Sequence, residues 1–151
     1  MNGYKNQYQR NQILTASPEQ ILIMLYDGAI QFCRQAAALD NENNQALKLE
    51  KISKAFAIIS EFSDSLDHHI GGEIAADLDA LYQFMLRELT TYRRTEEPGH
   101  LRTVTDMLID LRQTWAEAIE ICRKEQSLLT ETKQDEATKS TAPVHHVSAA
   151  G

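Results

Sequence analysis

Six consecutive apolar residues, Ile21-Leu22-Ile23-Met24-Leu25-Tyr26, follow directly on a helix start, and they constrain the fold more than any other stretch. Ser17 supplies a hydroxyl N-cap, Pro18 suits the first helical position, and Glu19 places an acid in the first turn. Gln20, at the third helical position, completes a capping-box pattern. On a helix, six apolar side chains in a row point all round the axis, so they call for burial on every side. Gly28 lies in the same helix, where glycine costs about 1 kcal/mol relative to alanine. Its presence predicts a close approach to the backbone at that point.

The periodicity then predicts four helices. The first runs from Pro18 to Leu39 with two apolar stripes: Leu22, Leu25, Tyr26, Ala29, Cys33, Ala36, and Ile21, Met24, Ile30, Phe32. One stripe is enough to seat a helix in a bundle, so the second is surplus. After a polar turn at 40–44, a second helix is expected over Gln45–His69, with Ile52, Ala55, Phe56, Ile59, Phe62 and Leu66 on its core face. Leu49 and Ile58 stand off that face. Gly71-Gly72 is expected to break this helix and turn the chain. A third helix is predicted over Glu73–Thr95, with Ile74, Leu78, Leu81, Tyr82, Met85, Leu89 and Tyr92 on one side. Pro98-Gly99 ends it. The fourth, His100–Lys124, aligns Leu101, Val104, Leu108, Leu111, Trp115, Ala118, Ile119 and Cys122, with Trp115 in the core. Four amphipathic segments joined by short connections describe an all-α, antiparallel four-helix bundle. Residues 15–126 form the bundle domain in this reading. Residues 1–14 are polar and read either as a frayed terminus or as a flexible arm. Residues 127–151 are Thr-, Ser-, Ala-, Lys- and Glu-rich, too poor in apolar groups to offset chain ordering, and are expected to form a disordered tail.

Composition removes several function classes. A net charge of −7 over 151 residues, with a pI near 5.2, provides no basic face to gather phosphates, so nucleic acid is not an expected partner. No apolar run reaches the roughly 18 residues that cross a bilayer, and no signal peptide precedes the domain, so a cytosolic chain without membrane insertion is expected. Cys33 and Cys122 are then expected to be buried free thiols. A bundle metal site needs Glu and Glu-x-x-His groups on the core stripes, which carry neither an acid nor a histidine. Glu97 and His100 have the spacing, but Pro98-Gly99 intervenes; His68 and His69 point about 100° apart on a helix. Asp27, beside Gly28, reads as a solvated helix face. No nucleophile–base pairing, phosphate-cradling loop or GxSxG occurs. The expectation is no metal, no cofactor and no catalysis. The surplus apolar residues Ile21, Ile23, Phe32, Leu49 and Ile58 either pad the core, form a homodimer seam, or bind a partner.

Tyr8-Gln9, Asn11 and Ile13 followed by TASPEQ…LYDGA resemble the opening of the flagellin-specific secretion chaperones, the FliS family. Gly71-Gly72-Glu73-Ile74-Ala75 with Leu81-Tyr82 and Met85 resembles that family's third helix, and Leu111-Arg112 with Trp115 its last. The resemblance spans roughly Tyr8 to Ile121. It implies a cytosolic four-helix-bundle chaperone that binds the disordered C-terminal segment of flagellin, prevents premature polymerisation and aids delivery to the flagellar type III export gate. It also implies a binding groove drawn from Leu22, Met24, Tyr26, Gly28 and Ile30 of the first helix and Leu78, Tyr82 and Met85 of the third. With the resemblance, residues 1–14 become an arm whose Tyr8, Ile13 and Leu14 cover the groove in the free protein, a monomer or weak dimer. The chain departs from the family pattern at Tyr92-Arg93, where an Ala-Asn pair is usual, and at Asp77, where many members have Asn. The reading from a different class is a structural homo-oligomeric bundle or adaptor without an export client.

Overall fold

Four helices carry the chain: α1 Pro18–Ala38, α2 Gln45–Asp64 (after a short 3-10 turn, Glu42–Asn44), α3 His68–Thr95 and α4 Pro98–Ala150. The computed structural model describes residues 6–7, 16–39 and 42–150, with side chains as far as Ala137, and among them there is no strand. Of the expected arm, only Asn6 and Gln7 are described, and they are helical. The chain falls into two compact units, residues 1–113 and 114–151.

The α1 start follows the sequence signal closely. Ser17 Oγ accepts from Gln20 N at 3.2 Å, and Gln20 Oε1 accepts from Ser17 N at 3.1 Å, which satisfies two backbone donors that the helix leaves unpaired. Within residues 1–113, side-chain pairs set the helix directions. Lys51 and Lys54 place their Nζ atoms 5.6 and 5.5 Å from the Phe32 ring centre, while Phe62 stacks on Tyr26, so α2 runs antiparallel to α1. Ser63 donates to Asp79, and Arg93 Nη2 donates to Ser53 Oγ at 2.7 Å, so α3 runs antiparallel to α2. Arg112 Nε donates to Asp27 Oδ1 at 2.8 Å, and Thr105 lies near Cys33, which brings the first part of α4 back antiparallel to α1. The expected up-down-up-down bundle is what forms. Its core includes Tyr26, Ala29, Cys33, Ile52, Ile59, Met85, Leu89, Val104 and Leu108.

Several boundaries and faces differ from the sequence reading. The α2–α3 turn comes before the glycine pair, because Asp67 Oδ1 accepts from the backbone N of His69 and Ile70, at 3.0 Å each, and starts α3 there. The glycines instead shape a kink. Gly72 has φ 51° and ψ −121°, and a β-carbon at Gly71 would lie 2.8 Å from Ala75 Cβ. Ile74 and Leu81, expected in the core, are 73% and 39% exposed. They precede Ala75 and Tyr82, which are buried, and one residue is a 100° step around a helix. Gly28 has no backbone close by; a β-carbon there would meet Ile58 Cδ1 at 3.7 Å, an ordinary contact. Trp115 is half-buried rather than enclosed, and Cys122 is exposed.

The expected disordered tail from 127 continues as helix through Ala150. No glycine or proline stands between Lys124 and Pro143, and Glu, Gln, Leu, Lys and Ala in that stretch are good helix formers. The composition argument holds in a different sense: from Ile121 to Ala137 every side chain is exposed.

The two glycines should respond oppositely to alanine in urea unfolding. Gly72→Ala forces a side chain into a left-handed backbone and should destabilise by about 1–3 kcal/mol. Gly28→Ala gains helix propensity without a clash and should be neutral or stabilising by up to about 1 kcal/mol.

Candidate partner-binding surface

The centre of the first unit is aromatic. Tyr26 stacks on Phe62 with ring centres 4.3 Å apart and planes 20° from parallel, and Phe62 meets Tyr82 at 5.5 Å. The Tyr26 and Tyr82 hydroxyls lie 2.6 Å apart in a buried hydrogen bond. This arrangement divides the residues that the resemblance assigns to a groove. Tyr26, Tyr82, Met85 and Ile30 are core residues, and Gly28 faces Ile58. Leu22, Met24 and Leu78 are half-buried and keep some surface. Tyr8, Ile13 and Leu14 lie outside the described residues.

A different set of apolar side chains is open to contact. Ile21, Leu22, Ile23 and Met24 are all half-buried, and Leu25 is exposed, so the apolar run leaves surface available along more than one turn of α1. On α3, Ile74, Leu78 and Leu81 fall at steps of four and three residues, which puts them on one face. Because α1 and α3 both run against α2, they run in the same direction. Leu22 and Leu78 each lie four residues before the tyrosine that joins the two helices, so the two apolar stretches occupy the same end of the bundle. The readable signal for Leu25, Ile74 and Leu81 was the apolar surplus over one stripe per helix. What periodicity did not give was which stripe turned inward.

The polar groups here pair among themselves. Arg112 holds Asp27 through its guanidinium, so this carboxylate is paired rather than simply solvated, and the same contact raises the Arg112 pKa further. The Ser63 hydroxyl, with help from Gln83, keeps the Asp79 carboxyl below its ordinary range. Glu97 and His100, expected apart, do meet at 3.5 Å, since Pro98 opens α4 rather than separating them; His100 also bonds Glu88. Among the described residues no group of His, Cys, Asp and Glu is arranged to hold a metal, and no helix is long and apolar enough to cross a membrane.

Four antiparallel helices, with apolar side chains of α1 and α3 left open at one end, define a protein of the helical-bundle class. The chain belongs to the flagellar protein FliS family, whose sequence profile matches residues 1–122. That family comprises chaperones of flagellar secretion and not enzymes. The flagellar secretion chaperone FliS of Bacillus subtilis is 34% identical over 118 residues, covering 78% of this chain and 87% of the relative. The Vibrio cholerae protein of the same name is 32% identical over 115 residues, covering 76% and 85%. A crystal structure of a bacterial flagellar chaperone superposes with a TM-score of 0.63 at 24% identity, covering 77% of this chain and 97% of the other, and corroborates the fold.

The two cysteines should behave differently toward a thiol reagent. Burial pushes the Cys33 thiol up to about 11, against a smaller opposing effect of the Thr105 hydroxyl, so at pH 8 it stays protonated and covered. Cys122 is exposed. A colorimetric disulfide reagent at pH 8 should titrate one thiol per folded chain and the second only after denaturation.

Proposed function

We propose that this chain is a cytosolic export chaperone that holds the C-terminal segment of flagellin, keeps it from polymerising before export and brings it to the flagellar type III export gate. Family membership supports the chaperone role, and the apolar surface on α1 and α3 supports an extended apolar client. A disordered segment can lay helices or extended turns along such a surface and fold as it does so. Burying four or five side chains of this size contributes on the order of 6–15 kcal/mol before association and ordering costs, enough for a tight complex. Leu22, Met24 and Leu78 contact the client directly in this reading, joined by Leu25, Ile74 and Leu81. Tyr26, Gly28, Ile30, Tyr82 and Met85 form the rigid wall behind them. The free protein is a monomer or weak dimer.

Calorimetry with a synthetic flagellin C-terminal segment should show one segment bound per chain. Paired substitution of Ile74→Asp and Leu81→Asp should weaken binding at least about tenfold, because each carboxylate would be desolvated without a partner. Both residues are exposed, so unfolding should shift by no more than about 0.5 kcal/mol. Absence of binding to the cognate segment, or an obligate dimer that covers α1 and α3, would instead support the homo-oligomeric reading.

The segment before Thr15 has a role in the same scheme. Tyr8, Ile13 and Leu14 precede α1 closely enough to fold over its apolar run, and a cover that occupies the site lowers apparent affinity by the open fraction. Deleting residues 1–12 should leave flagellin binding unchanged or tighter and make the free protein less soluble. A loss of about tenfold or more, with helicity intact, would make the arm part of the binding surface instead.

A further inference from the structure

The charge of this acidic chain is unevenly placed. Residues 45–60 of α2 and 84–95 of α3 carry six cations, Lys48, Lys51, Lys54, Arg87, Arg93 and Arg94, against two acids. Both acids are engaged: Glu50 pairs with Lys54 at 3.2 Å, and Glu88 with His100. Because α2 and α3 run antiparallel, with Arg93 bonded to Ser53 and Lys48 5.4 Å from the Tyr92 ring, these stretches lie side by side. Along α3, against Phe56 of α2, opens a cleft of about 460 Å³ lined by the half-buried Phe56 and Leu86, the exposed Arg87 and Arg94, and Gln83, Thr90 and Thr91. Arg93 packs 5.5 Å from the Phe56 ring centre, which fixes the aromatic wall beneath the cations. Among the described residues, neither Arg87 nor Arg94 has a carboxylate partner.

We propose that this cleft is a second docking site, separate from the apolar surface of α1 and α3, and that it takes an acidic peptide segment of another protein carrying an aromatic or large aliphatic anchor. The anchor fills the space against Phe56 and Leu86. Carboxylates to either side of it meet Arg87 and Arg94, which lie seven residues apart and therefore on one face of α3. Phe56 and Leu86 beside the arginines distinguish this site from a simple anion patch, since a free anion would leave them wetted. A nucleic acid is disfavoured by the net charge of −7 and by the short reach of the patch. The site has a partner of its own chemistry, so it does not depend on which segment the apolar surface holds.

The test is fluorescence anisotropy on the full chain with a labelled peptide of about twelve residues, rich in Glu and Asp around one central Phe. Binding should weaken at least about tenfold for the variant Arg87→Glu/Arg94→Glu, and by a smaller factor for Arg87→Gln/Arg94→Gln. It should also weaken on raising salt from about 50 to about 300 mM, and on replacing the peptide's Phe by Ala. The arginines are exposed, so circular dichroism should show both variants folded, and their affinity for the flagellin segment should be unchanged. The proposal is overturned if the unaltered protein ignores the peptide or if the charge-reversed variant binds it equally. It is also overturned if the Phe makes no difference and a single-stranded oligonucleotide of equal charge binds as well.

Discussion

The contact among Tyr26, Phe62 and Tyr82 sets the register of three helices at once. Each ring belongs to a different helix, the ring centres lie 4.3 and 5.5 Å apart in close aromatic contacts of the kind that add about 0.5–1.5 kcal/mol beyond burial, and the two hydroxyls bond each other across the core. A slide of α1 against α3 by one turn would separate the hydroxyls inside an apolar environment, where losing a hydrogen bond costs about 1–3 kcal/mol. The tyrosines therefore act as a pin. The apolar surface follows from it, because Leu22 and Leu78 stand at one level only while Tyr26 and Tyr82 remain in contact.

The helices outside that cluster are tied by chemistry suited to partial exposure. Lys51 and Lys54 spread their stems over Phe32, and Arg93 lies against Phe56, so aromatic edges that the core does not cover are closed by long cationic side chains. The Asp27–Arg112 pair joins α1 to α4 in the open, where an ion pair contributes about 1 kcal/mol or less, so it serves orientation more than stability. Four of the six cations on residues 45–60 and 84–95 lie over aromatic rings, Lys48 on Tyr92, Lys51 and Lys54 on Phe32 of α1, and Arg93 on Phe56.

The helix count, the antiparallel order and the start of α1 were legible in the sequence, because capping residues and a 3.6-residue apolar period are local signals. The inward face of α3 was legible in its second half, where Tyr82, Met85, Leu89 and Tyr92 are buried, but not at Ile74 and Leu81. Ile74 and Leu81 lie next to Ala75 and Tyr82, and a helix with apolar residues at neighbouring positions satisfies two stripes equally well; only packing against α1 and α2 chooses between them. The groove drawn from the resemblance included Tyr26, Ile30, Tyr82 and Met85, all of which are buried here, as the stripes of Tyr26, Tyr82 and Met85 implied. Gly71-Gly72 was read correctly as a backbone irregularity but wrongly as the turn, since Asp67 offers the stronger start signal five residues earlier. The extent of α4 was missed because low apolar content says that a segment cannot pack, not that it cannot wind.

The later part of α4 is held by different means from the first. From Ile121 to Ala137 no side chain is buried, and over 120–132 Arg123 pairs with Glu120 while Ser127, Thr130 and Thr132 bond carbonyls one turn back. A helix with no buried face gains little from tertiary packing, so its stability rests chiefly on propensity and local hydrogen bonds. Its amide protons should exchange along a gradient that rises toward the C-terminus, each opening costing only the hydrogen bonds distal to it. Heating should unwind it gradually and out of step with the core. In a calorimeter the chain would then show one sharp transition from the bundle above a sloping baseline from its last helix.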